Sequence, residues 1–124
     1  MSWKKKKRFV AFLMNIVYTS LYIGDVLFTH AGFESSFVDL SETTDYDFLW
    51  IRDHYLHPNK TPFVNVFRHT PTKLIHQSDD IWLSADEKYI AIDGGCVFGG
   101  QLNALLLRDT GAIPNSFYPS CLMK

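Results

Sequence analysis

Two histidines stand where apolar runs end and the chain turns. His30 closes Val26-Leu27-Phe28-Thr29 and is followed by Ala31-Gly32; His69 closes Phe63-Val64-Asn65-Val66-Phe67-Arg68 and is followed by Thr70-Pro71. Both segments read as strand, histidine, turn. That order puts an imidazole at the C-terminal edge of a strand, where open α/β sheets place their ligands. Neutral imidazole is a common ligand of transition metals. Ala31-Gly32 leaves room beside the first ring, and Pro71 stiffens the turn after the second. Two donors are fewer than the three protein ligands a catalytic zinc takes. Two polar residues at strand ends account for the spacing equally well. Arg52 lies between the histidines in sequence, with Asp45 and Asp53 as candidate ion-pair partners.

Elements of suitable length exist to carry these residues. The 124 residues fit a single domain, and an apolar content of 47% supports a core. A net charge of −1 lacks the basic excess of a dedicated nucleic-acid binder, so no nucleic-acid partner is expected. Cys96 and Cys121 match no zinc spacing and read as reduced thiols of a cytoplasmic chain. Lys4-Lys5-Lys6-Lys7-Arg8 and the apolar residues 9–13 imitate the start of a signal peptide. Asn15, Thr19, Ser20 and Asp25 interrupt the run before it reaches the ~20 apolar residues of a membrane span. No membrane partner is expected.

Phe9, Phe12, Leu13, Ile16 and Val17 recur at helical spacing, which predicts a helix over residues 3–18. Gly24-Asp25 between two apolar runs predicts a tight hairpin. Residues 33–44 read as a loop and residues 45–56 as a short helix capped by Asp45. Residues 63–67, 81–83, 89–92 and 103–107 read as strands, the last four of the chain, forming one side of a sandwich. Gly94-Gly95 and Gly99-Gly100 predict a tight loop, and Asp93 a turn role. His54, His57 and His76 read as surface residues, and Cys96 as an inert small hydrophobe rather than a nucleophile.

Four segments occur in order: His30-Ala31-Gly32, Trp50-Ile51-Arg52-Asp53, His69-Thr70-Pro71-Thr72 and Ile92-Asp93-Gly94-Gly95-Cys96-Val97-Phe98-Gly99-Gly100-Gln101-Leu102-Asn103-Ala104-Leu105. Together they resemble the C-terminal half of the calcineurin-like metallophosphoesterases, in particular the bacterial serine/threonine-phosphatase type that includes symmetrical diadenosine tetraphosphatases. The resemblance implies an α+β or α/β fold, half of a β-sandwich flanked by helices and an incomplete domain. Residues 1–112 would be that half and residues 113–124 a peripheral tail. It implies a two-metal site loaded with manganese, iron or zinc, with His30 and His69 as ligands of one metal and Arg52 binding substrate phosphate. Arginine suits that role through its planar fork of donors.

The family's Gly-Asp-x-His-Gly, Gly-Asp-x-x-Asp-Arg-Gly and Gly-Asn-His-Glu segments do not occur in this sequence, and Arg68 stands where the family has glycine. With them the resemblance loses the bridging aspartate and the general acid, so no catalytic residue is assigned. The expectation is a phosphoesterase fragment that is inactive alone. Its partner would be a polypeptide carrying the other half, or a second copy joined through exposed apolar surface. The alternatives are a subunit of a split phosphatase and a non-catalytic binding module.

Overall fold

A computed structural model of the chain describes residues 18–107 and the backbone of a strand at 118–123. The helix expected over residues 3–18 lies outside the described residues, Tyr18 apart. The described part is α+β: a five-stranded mixed sheet, a two-stranded sheet and two short helices. Among the described residues no helix is long and apolar enough to cross a membrane.

The chain enters through the expected hairpin. Strands β1 (Ser20–Ile23) and β2 (Val26–Thr29) pair antiparallel with Ile23 opposite Val26. This leaves Gly24-Asp25 as the turn, and Gly24 takes a φ of 57° that disfavours side chains. Strand β3 (Val64–Phe67) then lies parallel to β2, and β5 (Tyr89–Ala91) parallel to β3. The short β4 (Trp82–Leu83) closes the far edge, giving the order β1-β2-β3-β5-β4. Parallel neighbours need crossovers. Helix α1 (Asp45–Trp50) lies within the first and α2 (Thr72–His76) within the second.

Strand alternation builds two cores. Leu27, Phe67, Tyr89 and Ala91 face one side, where Phe33 and Phe48 cover them. Val26, Val64, Val66 and Ile90 face the other, against Phe28, Ile81, Ile92, Leu105 and Leu107. The central strand β3 is therefore buried at every residue, as expected for a parallel strand covered on both faces.

Several expectations need correction. The four strands expected to form one side of a sandwich divide between two sheets. Strands β3, β4 and β5 join the hairpin, while β6 (Leu102–Leu106) pairs with β7 (Tyr118–Met123). Gln101 Nε2 donating to Asp80 Oδ1 at 2.8 Å and Asn103 Nδ2 donating to the Asp79 carbonyl at 2.7 Å hold the start of β6 to the loop after α2.

The helix expected over residues 45–56 stops at Trp50, and a 3₁₀ turn follows at His54–Leu56. The Ala31 N–H takes the Phe48 carbonyl at 2.7 Å, the group that would accept the next helical hydrogen bond. Ile51 is then extended and Asp53 left-handed. The cap is Thr44 rather than Asp45, in a reciprocal box with Asp47. Helix α2, preceded by Pro71, has no counterpart in the sequence pattern, because five residues are too few to show helical periodicity.

Candidate metal centre

Strands β2, β3 and β5 run parallel, so their C-terminal ends share one edge of the sheet. His30 follows β2, His69 follows β3 and Asp93 follows β5. The Arg68 N–H donates to the His30 carbonyl at 2.9 Å, joining the first two strand ends beyond the regular ladder. The rings of His30 and His69 lie with centroids 5.0 Å apart and tilted by 48°.

Asp93 fastens this edge. One carboxylate oxygen accepts the His69 N–H at 3.1 Å and the other accepts the Gly95 N–H at 3.0 Å, while its carbonyl accepts the Thr72 N–H at 2.7 Å. His69 has a φ of 72°, a conformation uncommon for a residue with a side chain. The anchored N–H supports that conformation. Asp93→Ala should lower stability by about 1–2 kcal/mol, because two backbone donors lose a charged acceptor at a half-buried site. A urea melt reads this, and an unchanged midpoint would remove Asp93 from the support of His69.

Arg52 reaches the site from the extended segment after α1. Its Nη2 lies 3.5 Å from His69 Nε2, and the Trp50 and His69 rings meet in a T-shaped arrangement with centroids 5.5 Å apart. Arg52 and His30 are exposed and His69 is half-buried. Desolvation first, then the neighbouring His69 and Arg68, push the His30 imidazole below its usual pKa, with Asp93 opposing. That favours the neutral form, which binds metals. The Arg68 side chain lines a cleft with Ile92, Val97 and Phe98, on the face of β3 that carries Val64 and Val66.

The structure thus brings His30, His69 and Arg52 together. Among the described residues no group of three or more histidines, cysteines or acids is placed to hold a metal. Asp93 is engaged by backbone donors, so the imidazoles brought together at this edge are those of His30 and His69, with the Arg52 guanidinium beside His69.

The expectation that His54 is a surface residue is wrong. His54 is 3% exposed, and its ring lies against Phe67 at 4.5 Å and Tyr89 at 5.4 Å. Asn65 accepts from His54 Nε2 at 3.0 Å through Oδ1 while its amide donates to the Leu27 carbonyl and Thr29 Oγ1, both at 3.1 Å. This assigns the proton of His54 to Nε2 and leaves Nδ1 buried without a partner. The space beside Gly32 belongs to this ring rather than to His30: a Cβ there would lie 2.4 Å from His54 Cε1. The absence of a side chain at Gly32, three residues beyond a strand, was the available sequence signal for a close approach.

His57 is exposed as expected, and His76 Nε2 bonds the Asp80 carbonyl at 2.9 Å. Cys96 is a free, exposed thiol. The loop through Gly94-Gly95 and Gly99-Gly100 closes tightly, with the Gly100 N–H on the Gly95 carbonyl at 3.0 Å and the Gln101 N–H on the Gly94 carbonyl at 2.9 Å. Comparison with family models, with curated proteins and with solved structures finds no significant match for this chain.

Proposed function

We propose that this chain carries one side of a metal-dependent phosphoesterase centre of the calcineurin-like type and is catalytically silent alone. The observation that carries the reading is the meeting of His30, His69 and Arg52 at the C-terminal edge of adjacent parallel strands, with Arg52 Nη2 3.5 Å from His69 Nε2. His30 and His69 would hold a divalent cation such as manganese, iron or zinc, which when bound supplies charge neutralisation and an acidified water. Arg52 binds phosphoryl oxygens through its planar fork. The remaining metal donors and a general acid come from outside the described residues.

Two measurements test this. Millimolar manganese with p-nitrophenyl phosphate should give no turnover above the buffer blank; robust turnover by the pure chain sinks the inactivity claim. Titrated manganese should broaden amide NMR signals around His30, Arg52 and His69 first. His30→Ala combined with His69→Ala should abolish that pattern. Broadening centred elsewhere, or unchanged in the double variant, removes the metal reading.

A second reading makes the chain one subunit of a split phosphatase. It is favoured by β1, which among the described residues lies at the edge of the sheet with Leu21, Tyr22 and Ile23 all exposed. Unpaired apolar edges are templates for another chain. Co-expression with a polypeptide bearing the missing aspartate and histidine motifs should then restore metal-dependent turnover; failure to associate argues against it.

A further inference from the structure

Trp50 and Tyr46 stand out beside the site. Both are large aromatic rings left mostly in water, 55% and 71% exposed. They sit four residues apart on α1, so they share a helix face. Their ring centroids lie 6.5 Å apart with planes inclined by 32°. The pair forms a shelf that begins at His69, where the Trp50 and imidazole rings meet in a T-shaped arrangement, and extends away along the helix.

The shelf is held firmly relative to the histidines. Its helix is capped by the Thr44–Asp47 box, anchored by the buried Phe48, and tied to the chain just after His30 by the Ala31 N–H. Arg52 follows Trp50 by two residues and turns its guanidinium to His69. Arg52 and Trp50 thus both meet His69, so an oxyanion paired with Arg52 would lie near the start of the aromatic shelf. Aromatic rings favour offset or edge-on contact with other rings beyond the gain from burial alone. Aliphatic groups obtain only the burial.

We infer that Trp50 and Tyr46 form a recognition shelf that selects phosphate esters carrying a planar aromatic group over aliphatic ones. This rests on the reading that Arg52 receives the phosphoryl group. The shared chemistry is a phosphate with a flat ring attached, supplied by an aryl ester or by a nucleotide. An aryl ester places its ring directly on Trp50. A nucleotide, with the sugar between, reaches farther along α1 to Tyr46.

The test is NMR titration of the full chain in EDTA with inorganic phosphate, glycerol 2-phosphate, phenyl phosphate and adenosine monophosphate. At least one aromatic ester should bind about three- to tenfold more tightly than glycerol 2-phosphate, the range expected for one ring-on-ring contact. Trp50→Ala should erase that preference and Trp50→Phe should keep most of it, which separates the shelf from a folding defect. Loss of the preference for adenosine monophosphate alone in Tyr46→Ala assigns the nucleotide; a Tyr46-independent preference for phenyl phosphate assigns the aryl ester. Equal affinities for aromatic and aliphatic esters, or a preference that survives Trp50→Ala, overturns the inference. Inorganic phosphate binds or fails separately: no binding, or binding indifferent to Arg52→Ala, overturns the underlying phosphate reading instead.

Discussion

Gly32→Ala is expected to destabilise the fold by about 3 kcal/mol, the upper range for overpacking a core. The added Cβ would fall 2.4 Å from both Cε1 and Nδ1 of His54. The ring has little freedom to retreat. Phe33, Tyr55, Phe67 and Tyr89 surround it, and Nε2 is bonded to Asn65. Displacing it breaks that hydrogen bond and leaves Asn65 Oδ1 unsatisfied in the centre of the sheet. A double-mutant cycle in urea isolates the contact. Against His54→Ala, which vacates the space, Gly32→Ala should cost at least about 1 kcal/mol less than in the parent chain. Strictly additive effects would show that the two residues do not compete for the same volume.

Stability should also fall by about 3 kcal/mol as the pH drops from 6.5 to 4, through His54 alone. Burial pushes the His54 imidazole down to about 4, against weaker opposing effects from Asn65, Asp53 and Glu34. The ring is neutral in the fold, while the unfolded chain takes up a proton near the ordinary value of about 6.5. Between those values the unfolded state binds more protons than the native state, so unfolding becomes easier as pH falls. The stability is fully present above about 6.5, declines at up to about 1.4 kcal/mol per pH unit, and changes no further from this source below 4. His54→Gln keeps an N–H donor for Asn65 but does not titrate. Its urea stability at pH 5 and pH 7 should differ by about 2 kcal/mol less than in the parent chain. A parent chain whose stability is flat over that window would mean that His54 is charged or solvated in the fold.

The burial of His54 is not written in its local sequence. The residue follows Arg52-Asp53 and precedes Tyr55, a context in which nothing distinguishes a buried ring from an exposed one. Its burial depends on Asp53 adopting φ 63°, which turns the chain into the 3₁₀ segment. It depends equally on Asn65, a polar residue in the middle of an apolar strand, as its partner across the core. Both conditions join residues far apart in sequence. The hairpin at Gly24-Asp25 was legible because its determinants are adjacent. The helix at Asp45–Trp50 was half legible: its start is written in the local Thr44–Asp47 box, whereas its end is set by the distant Ala31 N–H.

By itself the sequence determined that two imidazoles would stand at strand ends and that an arginine would lie between them in the chain, because strand and turn patterns are local. Only the tertiary structure decided that the three meet. Parallel pairing of β2, β3 and β5 brings their C-terminal ends to one edge, and the early end of α1 leads Arg52 back to His69. Strand order and crossover direction are set by which faces bury one another, which no short window of sequence contains.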